Sequence, residues 1–280
     1  MKRTKFCYSG SAVIIAMKAY RISRSKGAPV ICHIPHASVR IPRQYKKDFL
    51  LSKQELDAEA RSMADLYADE LFSGLAASFG SIVATVSRLV VDMERFENDD
   101  EEAAAKCGMG VLYSRTQEGY PLRMLYAPER MQYLRELYRP YHKAFEEAVD
   151  ACLVEHDVCL ILDCHTFPSA PRGFEVDQRT PRPDICIGVD DHHTPGRLKR
   201  AVMCEFAHHG YSVKRNSPYS GSIVPLKHYR DDGRVLSIMI EVNRALYMDE
   251  RTFKRKKGFE RLASRLCDIL EKGIQRSIEP

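Results

Sequence analysis

The stretch VCLILDCHTFP, residues 158–168, decides the architecture. Its apolar run is too short for a buried helix and lacks the polar alternation of a strand with one wet face, so residues 158–162 read as a strand buried on both sides. Such strands belong to parallel sheets covered by helices on both faces. In these sheets the ligand site lies beyond the carboxyl ends of the strands, here at Asp163 and His165. Successive residues of a strand face opposite ways, so Asp163 and His165 share a face that Cys164 turns away from. A nucleophilic Cys164–His165 pair is disfavoured on that ground.

Outward from this strand, further short apolar runs at residues 30–34, 81–86, 89–93, 185–189, 211–214 and 235–242 alternate with amphipathic stretches at 52–78, 127–155 and 249–275. Ser52 and Glu55 form a capping box opening the first of these. Thr194 and Pro195 open a further helix that stops at Gly210. The alternation predicts an α/β fold, a three-layer α/β/α arrangement around a mostly parallel mixed sheet. Residues 1–28 read as a peripheral N-terminal extension and residues 29–280 as one domain. Two long irregular stretches, 97–126 and 166–183, follow strands and are expected to serve function.

Composition narrows the function class. Of 280 residues, 44% are hydrophobic and 29% charged, ordinary globular usage that excludes collagen, coiled coil and extensive disorder. Forty-three basic against 38 acidic residues leave a net charge of +5 without a basic stripe, which suits a small anionic substrate and argues against nucleic acid. Nine cysteines without a CxxC pair read as reduced thiols in a cytoplasmic protein. No apolar run approaches the ~18 residues of a membrane span. The oligomeric state is not encoded in any recognisable pattern.

The expected strand ends carry His33 and His36, then Arg88, Asp92 and Arg95, then Asp163 and His165, then Glu241 and Arg244. Imidazoles and carboxylates converging from separate strands suit a catalytic metal, which takes three protein ligands and leaves a position for water. His192 and His193 read as solvated loop residues, and ENDDEEAAAK (97–106) lacks the spacing and turn glycine of a calcium loop.

The succession HIPHAS (33–38), SRLVVDMER (87–95), LDCHT (162–166), PYSGSIVPL (218–226) and IEVNRALYMDE (240–250) resembles the N-formylglutamate amidohydrolase family over residues 29–250. The resemblance implies a zinc carboxypeptidase-like (phosphorylase/hydrolase-like) fold, one catalytic zinc, hydrolysis of a small N-acyl amino acid, and a place in histidine catabolism. It implies His36, Asp65 and His165 as metal ligands and Glu241 as general base. By the same resemblance Arg88 and Arg95 would hold substrate carboxylates. Arg172, Arg179 and Arg182, in the proline-rich loop after His165, are candidates for a second carboxylate clamp, and Tyr219 lies in a tight loop expected near the substrate site. The chain departs from the family at Ala37, where glycine is usual, and at Glu94, where asparagine is usual. A carboxypeptidase would place Glu at position 39, here Val39. The departures leave open a related N-acyl amino acid or short peptide as substrate, or a noncatalytic ligand-binding relative.

Overall fold

The computed structural model describes residues 18–24 and 27–278. Among the described residues seven strands form one mixed sheet: β1 (Tyr20–Arg24), β2 (Val30–Ile34), β3 (Gly80–Ala84), β4 (Cys159–Phe167), β5 (Ile185–Gly188), β6 (Val213–Arg215) and β7 (Val235–Asn243), in spatial order β1-β3-β2-β4-β7-β5-β6. The four central strands β3, β2, β4 and β7 run parallel. At the edges, β1 is antiparallel to β3, while β5 is antiparallel to β7 and parallel to β6. β4 is buried along its whole length, as its unbroken apolar run requires.

Period-two alternation sorts each central strand between two cores. Ile31, Ile161 and Val235 face a core built with Tyr141, Phe145 and Val149 of α6 (Arg139–His156). Leu160, Leu162, Ile238 and Ile240 face the opposite core, covered by α7 (Gly196–His208) and α8 (Phe259–Ile278). His33, Asp163, His165 and Glu241 therefore fall on the α6 side.

The segment 52–78 is three helices rather than one. After α1 (Arg43–Lys46), the predicted capping box starts α2 (Lys53–Met63): Ser52 accepts from the Glu55 N–H and Glu55 accepts from the Ser52 N–H. The helix ends at Ala64, which is extended, and Tyr67 is left-handed at φ 69° before α3 (Ala68–Leu71) and α4 (Ser73–Phe79). The Asp65 N–H donates to His36 O at 2.9 Å instead of to its own helix. Residues 127–155 do form one helical run, α5 (Ala127–Tyr133) into α6, with a π turn at Leu134–Tyr138. Pro140 has no N–H to offer the preceding turn there, which accounts for the slip.

Residues 89–93 are not a strand. Leu89, Val90 and Val91 are all buried, and Val90 N–H turns back to Ser87 O at 2.8 Å. Arg123 donates to Val90 O at 3.0 Å and pins this turn. The last helix begins at Phe259, since residues 248–255 form a small hairpin, β8 (Met248–Asp249) with β9 (Lys254–Arg255). Within the expected N-terminal extension, Tyr20–Arg24 pairs with β3 as an edge strand, and residues 1–17 lie outside the described residues. His193 is buried, not solvated: Nδ1 donates to Val235 O at 2.7 Å and Nε2 accepts the Arg230 N–H at 2.8 Å. Thr194 does not cap α7, whose N-cap is Pro195; its hydroxyl donates to Ser237 O. Among the described residues no helix is long and apolar enough to cross a membrane.

Candidate metal centre and active site

The site assembles where four chain segments reach the carboxyl edge of the parallel strands. His36 follows β2, Asp65 sits in the break between α2 and α3, His165 lies near the carboxyl end of β4, and the turn after β3 carries Asp92 and Glu94. Asp65 Oδ2 lies 3.1 Å from His165 Nδ1 and 3.9 Å from His36 Nδ1. The two imidazole rings are 5.2 Å apart between centroids. His36, Asp65 and His165 thus each turn one donor atom toward a common point, and all three are buried.

The outward-facing atoms of this triad are held by other groups. His36 Nε2–H donates to Asp92 Oδ1 at 2.8 Å, and the other oxygen of Asp92 accepts from Tyr113 Oη at 2.6 Å and from Arg88 at 2.8 Å. His165 Nε2 lies 2.9 Å from Asp163 Oδ1 and 3.0 Å from Glu94 Oε1. Arg244 donates to Asp65 Oδ1 at 2.9 Å. Carboxylates behind ligating imidazoles fix ring orientation and raise basicity, which is the support a metal centre requires. His36 Nδ1, by contrast, is buried without a hydrogen-bond partner. Such an orphaned nitrogen is costly unless something occupies the point it faces.

Electrostatics agrees with a cation there. Burial, aided by Arg88, lowers the His36 pKa, so this imidazole is neutral and available as a ligand. Burial opposes ionisation of Asp65, Asp92 and Asp163, yet neighbouring histidines and arginines hold all three carboxyls below the usual range. For His165, burial is outweighed by Glu94 and Asp163, and its pKa rises well above the usual value. In the absence of a metal, His165 supplies positive charge to the surrounding carboxylates. A divalent cation on its Nδ1 side would supply that charge and leave the imidazole neutral, so the residues present fit a metal ion.

Glu241 is the register partner of His165 on β7 and is buried with Oε2 unpartnered. Burial pushes its carboxyl up to about 8. A proton-transfer group near neutrality beside a metal triad can work as general base and acid.

Of the expected substrate residues, Arg88 is spent on Asp92 and Tyr113. Arg95 uses Nε on Met109 O at 3.3 Å, and its terminal amino groups make no hydrogen bond among the described residues. Arg182 and Tyr219 meet at Glu175, which accepts from both. The PYSGS loop reaches the centre through Ile223, whose N–H donates to Asp163 Oδ2 at 3.2 Å. Cys164 lies in the opposite core, with burial raising its thiol pKa, and is no nucleophile. Asp92 and Asp163 stand among the strand-end carboxylates the sequence offers for a metal site, Asp163 on the face of His165, and the structure sets each against an imidazole. Glu94 figures in the sequence only as a departure from the family pattern, and Tyr113, in an irregular loop, carries no signal.

Comparison with known proteins follows the same span. N-formylglutamate deformylases of Pseudomonas aeruginosa and Pseudomonas putida are similar at 26% identity over 228 residues and 27% over 234. These alignments cover 80% and 79% of this chain and 83% and 82% of the relatives. In structure, an N-formylglutamate amidohydrolase from Ralstonia eutropha JMP134 superposes with a TM-score of 0.80 at 24% identity, covering 92% of this chain and 98% of the other. A gene product of Agrobacterium tumefaciens gives 0.70 at 21%, covering 94% and 98%; at these identities both establish the shared fold. The N-formylglutamate amidohydrolase family model matches residues 28–248, a span that holds every residue of the centre described above. The chain therefore belongs to the N-formylglutamate amidohydrolase family.

Proposed function

We propose that this protein is a zinc-dependent amidohydrolase that cleaves N-formyl-L-glutamate to formate and glutamate. The observation that carries the reading is the convergence of His36, Asp65 and His165 on one point beside Glu241. Zinc fits because two imidazoles and one carboxylate make a three-ligand set with room for further ligands. When bound, the metal supplies Lewis-acid polarisation of the amide carbonyl and acidifies water.

The chain's own residues do the rest. Glu241 takes a proton from the attacking water as the new C–O bond forms at the formyl carbon. It then returns that proton to the nitrogen as the C–N bond breaks, so formate and the free amino acid leave. Burial raises the Glu241 pKa above that of an exposed carboxylate, which makes it a stronger proton acceptor. Asp92 and Asp163 keep the two imidazoles oriented, and Arg244 keeps Asp65 from turning away. Arg95, with its terminal amino groups uncommitted, offers a bidentate fork to a substrate carboxylate.

A second reading, a different N-acyl amino acid, is favoured by Glu94. Its carboxylate faces His165 and His36 at 3.0 and 3.6 Å and disfavours an anionic group placed beside it. Formate release from N-formyl-L-glutamate, compared with N-formyl derivatives of neutral amino acids, tests both. Turnover of the glutamate derivative dependent on one bound zinc supports the first reading. Turnover of neutral derivatives alone selects the second, and metal binding without turnover of any refutes both.

A further inference from the structure

Arg244, which holds Asp65, also lines a cavity of about 180 Å³ that none of the three metal ligands borders. Its charged lining is unusual in its pairing. Arg244 is fully engaged, donating to Asp65, Ser62 and Thr166. Arg172 is not: it donates to Ser62 O and, at 3.0 Å, to Met63 Sδ, both neutral, and makes no ion pair among the described residues. Burial and the nearby Arg244 lower its pKa to about 10, and Tyr219 and Glu175 offset this only in part. Glu250, on the same cavity, accepts only the Ser169 N–H, at 3.1 and 3.3 Å, and also makes no ion pair among the described residues. The two unpaired charges do not reach each other. The remaining wall is mostly apolar, from Pro168, Ala170, Met248 and Phe253, with Ser62 beside them.

One guanidinium and one carboxylate without an ion-pair partner among the described residues, both lining a small cavity with a mostly apolar wall, fit a ligand that carries both charges and an apolar body. We propose that this cavity binds a free α-amino acid as its zwitterion, with Arg172 taking the α-carboxylate, Glu250 the α-ammonium, and the apolar wall an aliphatic side chain. An N-acylated amino acid offers no ammonium to Glu250, so this site discriminates against the class of substrate proposed for the metal centre. Its ligand class follows from the cavity alone and does not depend on that function.

Isothermal titration of the purified full chain with L-methionine, N-acetyl-L-methionine and L-methioninamide tests it. L-Methionine is expected to bind, with each of the other two at least tenfold weaker because one charge is missing. Arg172→Ala and Glu250→Gln should each weaken L-methionine at least tenfold. Should Arg172→Ala fail to fold, Glu250→Gln decides, since Glu250 holds only one backbone N–H. Absence of binding at millimolar L-methionine, equal binding of all three compounds, or unchanged affinity in Glu250→Gln overturns the proposal. Turnover is not read, so failure of the hydrolase reading leaves this test intact.

Discussion

His165 and Glu241 are direct register partners across the parallel β4–β7 ladder. Because paired residues of neighbouring strands project to the same face, this single register sets a carboxyl beside the ring whose Nδ1 looks toward Asp65. Cys186 of β5 occupies the next place in the row, opposite Glu241, so no charge from that side compensates the carboxyl. A slip of one residue in β7 would bring Ile240 or Val242 into this position and remove the base.

Glu241→Gln keeps the shape of the site and removes the proton acceptor. Metal content by mass spectrometry should stay at the wild-type level while kcat falls by about 10²-fold or more. Near wild-type turnover would show that another group carries the proton.

The same residue gives a pH signature in metal-stripped protein. Its folded pKa of about 8 exceeds the ordinary 4.5, so the fold holds the proton more tightly than the unfolded chain does. That stabilisation is complete below about 4.5 and is lost as pH rises through about 8. Relative to Glu241→Gln, wild type should lose on the order of a few kcal/mol of stability between pH 5 and pH 8.5. Urea unfolding at both pH values checks it; parallel pH dependence in the two proteins contradicts the assignment.

His36→Ala and His165→Ala should each abolish metal binding and turnover together. Asp92→Asn leaves the three ligands in place but loosens His36, which it holds at 2.8 Å, and should weaken metal affinity by about ten- to a hundredfold. Competition with a chelator measures this, and unaltered affinity in Asp92→Asn would leave the orienting role without support.

Arg95→Ala should raise KM by about ten- to a hundredfold, the scale of a lost charge-assisted contact, with kcat changed less. Arg88→Ala should act differently. Arg88 grips Asp92 at 2.8 Å, so its loss should appear as weaker metal binding before any change in KM. Steady-state kinetics at saturating zinc separates the two, and identical behaviour of both variants would remove the distinction.

Ser52→Ala removes the side chain that caps α2 and should cost about 1 kcal/mol of stability. Denaturant titration measures the loss, and metal content should be unaltered because α2 ends before Asp65. Reduced metal content would mean that the helix start is coupled to the site.

Local pattern alone determined the parts of this protein that depend on neighbours in sequence. Unbroken apolar runs announced β2, β4 and β7, the Ser52–Glu55 pair announced α2, and His36, His165 and Glu241 followed as residues at or just beyond strand ends. The family resemblance, and not periodicity, singled out Asp65. Periodicity carried a helix straight through it, because side-chain spacing does not reveal that its N–H is claimed by His36 O across the fold. Residues 89–93 were misread for the same reason: a buried apolar run looks alike in a strand and in a turn pinned by Arg123. Arg182 and Tyr219 stand as substrate candidates only through their place in loops near the site, and only the tertiary structure shows both meeting Glu175. Hydrophobic period is a local property of the chain, whereas the conformation of a loop is decided by distant donors and acceptors that claim its backbone and side chains.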